Sequence, residues 1–327
     1  MLKILSFVFL ALFVAIHMGK ETSAFLSPSQ QTSRSLAARQ PLHANLITFD
    51  LDDTIFPVGP VVGDANKALF EHLKSLGCET KQDDYLATTK EIRNELAKEN
   101  KAITYTELRK RAIRRTLQKR FPDENIEDSV VFHAYDIWEE NRHIAAETHL
   151  YHDTVSMLQE LKTKYPEAII GAITNGKGNP LKMKSTKDYF DFCVSGEDDD
   201  VFPLRKPSEG IYQVALKRFQ SLTQEQDNEE NTCWIHVGDD LANDVGASAK
   251  CGAKAVWVDL LGEEYSQTAS KRDPSKPQPS WSTATKEELE KRKKMDQEAQ
   301  QYVSKRVTTL GMLPKSIEEI TQEASSS

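Results

Sequence analysis

Asp50 and Asp52 stand two residues apart at the end of an apolar run, Leu46-Ile47-Thr48-Phe49, and Thr54 follows closely. Each carboxylate raises the cost of ionising the next, so anions crowded at a strand end call for a cation. Mg²⁺ is the hard cation that carboxylates and phosphate oxygens bind together. The segment reads as a metal-assisted site in which Asp50 is a candidate covalent nucleophile. A transferring phosphoryl group needs an in-line nucleophile, charge neutralisation and a proton source for the leaving oxygen. Asp50, a metal and Asp52 could supply the three. Read alone, the pair also fits a carboxylate-capped turn.

Three further groups extend this chemistry. Thr174-Asn175-Gly176 closes the run Ala168–Ile173 and offers phosphate oxygens a hydroxyl and a backbone N–H, although the triplet alone is an ordinary turn. Arg205-Lys206-Pro207 sets a lysine at an X-Pro junction, able to face both a nucleophilic carboxylate and a phosphate; alone, a Lys-Pro is a solvated loop. His236-Val237-Gly238-Asp239-Asp240, with Asp244, again ends an apolar run in acids. Asp239 would complete a metal shell. Asp240 and Asp244 fall in the first turn of the next helix, where the helix dipole also favours them. All four groups lie at the carboxyl ends of predicted strands.

Those strands are Leu46–Phe49, Ala168–Thr174, Phe192–Ser195, Cys233–Val237 and Ala255–Asp259. Most are continuous apolar runs, as strands buried on both faces should be. Helices are expected between them at Asp153–Lys164, Pro180–Asp188, Ser208–Phe219 and Leu241–Lys250. The alternation predicts an α/β fold, a parallel sheet with helices on both faces, whose chemistry sits beyond the carboxyl ends of the strands. Residues 60–146 break the pattern with four helices, Ala65–Leu76, Asp83–Lys98, Tyr105–Arg120 and Asp128–Ala145. Inserted after the first strand, they would roof its carboxylates. The third crowds Arg109, Lys110, Arg111, Arg114, Arg115, Lys119 and Arg120. Arg111 and Arg115 could face an anionic substrate or form a solvated face; His133, Tyr135 and Trp138 could stack on a ring or pack a core.

A second interruption, residues 261–304, is rich in Lys, Glu, Gln, Ser and Pro. It is expected as an exposed, partly disordered insertion with a charged helix near Lys286–Gln301. An edge strand, Arg306–Leu310, and a closing helix, Pro314–Thr321, follow, leaving 323–327 as a tail. The core thus comprises 44–59 and 147–322.

Residues 1–43 read as an address. Lys3 precedes an apolar run, Ile4 to Ile16, of signal-peptide length, and residues 25–43 carry Ser, Thr and Arg but no acid. Cleavage after Ala24 before Phe25 resembles the two-part plastid address, a signal peptide over 1–24 and a transit peptide over 25–43; secretion is the alternative. The net charge is −8 overall, and residues 1–43 hold +3 of it, leaving −11 on the remainder. That argues against sequence-independent nucleic-acid binding, and no membrane association is expected of the mature form. Four cysteines without a Cys-x-x-Cys pair argue against zinc.

The four groups, in this order, resemble the haloacid dehalogenase superfamily of phosphotransferases, with matches at Asp50/Asp52, Thr174, Lys206 and Asp239/Asp244. The resemblance implies a Rossmann-like core with a small helical cap. It also implies an aspartyl-phosphate at Asp50, with Asp52 protonating the leaving alcohol and then activating water. Mg²⁺ would be held by the Asp50 and Asp239 carboxylates and the Asp52 backbone carbonyl, with Asp244 in the same acid motif. The phosphoryl group would be bound by Thr174 and Lys206, to which the reading of the Thr174-Asn175-Gly176 turn adds Asn175. Dehalogenases of the superfamily lack an acid two residues after the nucleophile, so Asp52 favours a phosphatase of a small phosphorylated metabolite. The segments Phe49–Phe56, Ala172–Gly176 and Ile235–Gly246 are similar to flavin-pathway phosphatases acting on 5-amino-6-(5-phospho-D-ribitylamino)uracil and flavin mononucleotide. Phosphoglycolate phosphatase, a sugar-phosphate mutase and a catalytically silent binding module are the alternatives.

Overall fold

The computed structural model describes residues 44–99, 101–223, 233–267 and 286–326. The address read over 1–43 and much of the Pro-rich part of the insertion lie outside these residues. Six strands form one parallel sheet: β1 (Ala44–Phe49), β2 (Ile169–Thr174), β3 (Phe192–Ser195), β4 (Cys233–Gly238), β5 (Lys254–Val258) and β6 (Val303–Val307). Their order is β3-β2-β1-β4-β5-β6. The chain therefore winds outward from β1 to one edge, returns to β4, and winds to the other. β1 and β4 are the neighbours at which the direction reverses, and this is where a crevice opens beyond the strand ends. Both acid-tipped strands of the sequence occupy it, so their carboxylates come together by topology.

Helices cover both faces. One core packs Phe49, Ile170, Ile235 and Val256 against Leu158, Leu161 and Ile317; the other packs Leu46, Ile173, Val194 and Trp234 against Ile211, Tyr212 and Phe219. The first includes α5 (Thr154–Lys164) and α9 (Leu313–Ser326), and the second includes α6 (Glu209–Thr223). The helical insertion has its own core, with Leu69, Leu73, Ile92, Ile113, Leu117 and Val131 buried together. It comprises α1 (Val58–Ser75), α2 (Gln82–Lys98), α3 (Tyr105–Arg120) and α4 (Asp128–Thr148), with α1 packed on α4 and α2 on α3.

The expected elements need five adjustments. The closing helix α9 runs to Ser326, over most of the stretch expected as a tail, 323–327. Helix α1 begins at Val58, earlier than the expected Ala65, because Asp53 holds the Val58 N–H through Oδ1 at 3.0 Å. Pro180–Asp188 is a short 3-10 turn, Pro180–Lys182, rather than a helix. Thr186 Oγ1 donates to the Pro180 carbonyl at 2.8 Å and Glu147 accepts the Ser185 N–H at 3.1 Å, so side chains take backbone groups that a helix would need. The helix expected over Leu241–Lys250 is a π-helical turn, Leu241–Gly246, running into α7 (Ala247–Lys250). The edge strand is Val303–Val307, since Val307 pairs with Val258 and the chain then leaves the ladder for a 3-10 turn at Leu310–Met312.

Candidate active site

Lys206 organises the crevice. Its side chain is 2% exposed, and its Nζ donates to Asp50 Oδ1 at 2.7 Å and to Asp244 Oδ1 at 2.7 Å. A buried ammonium left alone would forfeit several kcal/mol of hydration. Burial lowers its pKa, but the two carboxylates outweigh that and hold Lys206 above the ordinary lysine range. Asn175 sets its backbone: Nδ2 donates to the Lys206 carbonyl at 3.0 Å and Oδ1 accepts the Lys206 N–H at 2.8 Å. The expected phosphate ligand Asn175 thus has its side-chain amide committed to positioning the lysine.

Asp50 leaves β1 with its N–H bonded to the Val237 carbonyl of β4 at 2.8 Å. Thr54 spans the two acid strands, donating to Asp50 Oδ2 at 3.2 Å and accepting the Asp239 N–H at 3.1 Å. Asp53 adopts φ +64°, a left-handed conformation that Asp tolerates, and turns the chain from β1 toward α1. Asp244 reaches back toward β4: its Oδ2 accepts the Asp240 N–H at 3.0 Å, and a Cβ on Gly238 would fall 2.4 Å from its carboxyl carbon. Gly238 must therefore be glycine for Asp244 to lie where it does. Behind it, Trp234 Nε1 donates to Thr48 Oγ1 at 2.8 Å, Thr48 bonds His236 Nδ1 at 2.8 Å, and His236 Nε2 lies 3.6 Å from Asp244. Burial holds His236 below the usual histidine range. Burial alone would raise Asp244, but Lys206 and His236 outweigh it and keep that carboxyl low.

Carboxylate oxygens of Asp50, Asp239 and Asp244 lie within 4.8 Å of one another. Burial, followed by the neighbouring acids and against the pull of Lys206, pushes Asp50 up to about 8. Three buried carboxylates facing one ammonium is a hard, oxygen-only, anion-rich set, and it fits a divalent cation of the Mg²⁺ kind. The Asp52 side chain is not in this set. It points toward the helical insertion, where Arg142 Nη2 donates to its Oδ1 at 2.7 Å. A Cβ on Gly176 would come within 3.2 Å of Asp52 Oδ2, so that turn approaches the acid closely. Thr174, 1% exposed, accepts the Gly176 N–H at 3.1 Å and retains its own O–H to donate.

These groups floor a cavity of about 650 Å³ whose roof includes Tyr85, Arg93, Arg109, Tyr135, Trp138 and Arg142 of the helical insertion. Arg111 and Arg115 are instead surface residues, paired with Glu107 and Glu95. The basic helix presents Arg109 inward: its guanidinium lies 3.7 Å from the Trp138 ring centroid, and Asn66 Oδ1 accepts from both. His133 is exposed and packs on His72. Roof and floor are tied by Glu197, whose carboxylate takes the Tyr105 and Thr106 N–H groups at 2.8 Å each, and by Arg205, which donates to the Ile103 carbonyl at 2.7 Å.

Arg142 escapes sequence reasoning, yet it left a trace. It continues the buried stripe Val131, Tyr135, Trp138 of α4, a charge at a core position. Arg142→Ala is expected to lower kcat/KM by about 10–100-fold in steady-state assays, the scale of a misplaced catalytic group. Arg142→Lys is not expected to restore it, because an ammonium lacks the planar fork.

A parallel sheet whose switch point gathers acids, a lysine and a threonine under a helical roof is the architecture of a hydrolase. The chain belongs to the haloacid dehalogenase-like hydrolases, whose sequence pattern matches residues 44–252. The 5-amino-6-(5-phospho-D-ribitylamino)uracil phosphatase YigB of Escherichia coli (strain K12) is 26% identical over 235 residues, which span 69% of this chain and 88% of that protein. The structure of 2-haloacid dehalogenase from Pseudomonas syringae pv. Tomato DC3000 superposes with a TM-score of 0.57 at 20% identity, covering 85% of this chain and all of that one, and shares the fold.

Proposed function

We propose that this hydrolase is a Mg²⁺-dependent phosphatase of a small phosphorylated metabolite, acting through an aspartyl-phosphate on Asp50. The observation that carries the reading is the pairing of two carboxylates with different environments. Asp50 lies among Lys206, Asp239 and Asp244, and Asp52 stands apart on Arg142. The first position suits a nucleophile beside Lys206 and a cation, and the second leaves a carboxyl outside that cluster, where it can exchange a proton with a leaving group.

An Asp50 carboxylate oxygen attacks phosphorus as the ester P–O bond breaks, and Asp52 gives its proton to the departing alkoxide. Asp52, now ionised, takes a proton from water. The resulting hydroxide attacks the same phosphorus and returns Asp50 and inorganic phosphate. Lys206 and the Thr174 hydroxyl bind phosphoryl oxygens. Asp50, Asp239 and Asp244 would hold the ion, with the Asp52 carbonyl as the further oxygen donor that the resemblance implies. Bound there, the ion supplies charge neutralisation for the transferring group.

Among substrates, 5-amino-6-(5-phospho-D-ribitylamino)uracil is the first candidate. The relationship to YigB supports it, as does a cavity whose lining joins the cationic Arg93, Arg109 and Arg142 to the aromatic Tyr85, Tyr135 and Trp138. A two-carbon acid phosphate would leave most of the about 650 Å³ cavity to water. Residues 1–43 would deliver the enzyme to a plastid; a fluorescent protein carrying them is expected there.

The test is a panel with purified protein: the pyrimidine intermediate, flavin mononucleotide, phosphoglycolate and p-nitrophenyl phosphate. Phosphate release from the first is expected to show the highest kcat/KM, and EDTA is expected to abolish release until Mg²⁺ is returned. No release from any of the four would end the reading. The pH dependence has a definite sign. With Asp50 pushed up to about 8, cation binding must displace its proton at lower pH. The apparent Mg²⁺ affinity measured by calorimetry is therefore expected to climb as pH rises toward about 8, with proton release on binding, and to level off above it.

A further inference from the structure

The charged stretch 261–304 lies beyond the residues that match the family pattern, yet its helix, α8 (Lys286–Ala299), enters the site. It packs on the π-helical turn that carries Asp244 and follows Asp239. Three contacts define the docking. Arg292 pairs with Asp240. Asp296 Oδ1 accepts the Ala242 N–H at 3.0 Å. Ala299 is buried against Gly246, where an added Cβ would fall 2.9 Å from the alanine methyl.

The turn needs outside support. Its i→i+5 bond, from the Val245 N–H to the Asp240 carbonyl at 3.2 Å, belongs to a geometry that is rare and localised. The first N–H groups of any helical turn have no partner within it. Here Asp240 Oδ1 takes the Asn243 N–H at 2.8 Å, and a carboxylate more than fifty residues away in sequence takes that of Ala242. Asp240 also adds an anion beside Asp239, and Arg292 neutralises it. α8 is itself pinned, since it passes through a 3-10 turn, Gln300–Tyr302, into β6, which is bonded to β5.

We propose that α8 is a clamp on the acid-bearing turn, with Arg292 and Asp296 as positioning residues that hold Asp239 and Asp244 in register with Asp50 and Lys206. An insertion remote from all four motifs thereby tunes cation binding and turnover. The clamp rests on the metal-assisted reading of the site. Lys291, Arg292 and Met295 also line the cavity, so a mere substrate wall is the competing role. The two roles separate kinetically. A wall acts on KM, whereas a clamp acts on cation affinity and kcat.

The experiment compares Asp296→Ala, Asp296→Asn, Arg292→Ala and Arg292→Lys with the wild type and with Lys294→Ala, an exposed position of the same helix. Three quantities are read: Mg²⁺ binding by calorimetry, amide exchange across residues 239–248 in metal-free protein, and kcat and KM on p-nitrophenyl phosphate. In both alanine variants, Mg²⁺ affinity and kcat are expected to fall by about tenfold or more, the usual scale for groups that orient metal ligands. KM should stay within about twofold. Exchange should accelerate over 239–248 and not over β2 or the helical roof. The Asn and Lys variants should recover most of the loss, and Lys294→Ala should match the wild type. Unchanged exchange and affinity in both alanine variants, or a change confined to KM, would overturn the clamp. Should Asp296→Ala fail to fold, Arg292→Ala against Arg292→Lys carries the same comparison. A wild type that neither binds Mg²⁺ nor releases phosphate sinks the catalytic reading, while the exchange result still decides whether α8 steadies the turn.

Discussion

Asp50→Asn is expected to bring phosphate release below about 10⁻⁴ of the wild-type rate, a loss of about 5.4 kcal/mol of transition-state stabilisation. The substitution preserves shape but removes the nucleophilic oxygen. It also removes one of two anions that keep Lys206 charged at 2.7 Å, so the lysine is disturbed as well. Folding is not expected to suffer, because Asp244 still faces the ammonium and one buried carboxylate is relieved of its like-charged neighbours. The check is single-turnover assay together with intact-protein mass spectrometry. Wild type quenched during turnover should carry a phosphoryl group on Asp50, and the variant should carry none. Near-normal turnover in the variant would refute covalent catalysis.

Asp52→Asn should reduce steady-state turnover by about 10²–10⁴-fold, the range for loss of a general acid–base. The two half-reactions should not suffer equally. A nitrophenolate leaves readily without a proton, so the first step on p-nitrophenyl phosphate is expected to survive better than on an alkyl phosphate. The second step needs a base for water whatever the substrate. Rapid mixing should therefore show a burst of nitrophenol equal to the enzyme concentration, followed by slow turnover, with phosphorylated protein accumulating. A variant that slows all substrates alike, with no burst, would mean that Asp52 only positions Arg142. The structure sets this test by keeping Asp52 out of the cluster of Asp50, Asp239 and Asp244.

Glu197 and Arg205 bear on how substrate reaches these residues. Glu197 holds the first N–H groups of α3, where a carboxylate also meets the positive end of the helix dipole. Arg205 is next to Lys206 and reaches the Ile103 carbonyl. Movement of the roof would thus pull on the loop that carries the buried Lys206.

Much of this arrangement was legible in the chain itself. Strands β1, β2, β4 and β5 announce themselves as apolar runs because most of their residues are buried on both faces. The acids at their ends could be placed on one side of the sheet because parallel strands all point their carboxyl ends the same way. The insertion after β1 could be read as helices from its spacing, and α3 was found over the very residues Tyr105–Arg120.

Other features depend on contacts between residues far apart, and local pattern is silent about those. Which arginine of α3 faces inward is decided by Trp138 and Asn66, so Arg109 is in the cavity and Arg111 and Arg115 are not. As a turn residue at a strand end, Asn175 belongs to a segment that offers phosphate a backbone N–H; that its side chain grips the Lys206 backbone is decided by the fold. The π-helical turn and the docking of α8 answer to each other, and a charged stretch with no apolar face gives no hint that its carboxylate will cap a distant backbone N–H.

Which acids stand at which strand ends, and on which side of the sheet, was settled by the chain alone, because side-chain chemistry and strand polarity are local properties. Tertiary structure alone decided the division of labour among those acids. Whether a carboxylate meets Lys206, as Asp50 and Asp244 do, or Arg142, as Asp52 does, depends on directions in space that only the folded chain defines.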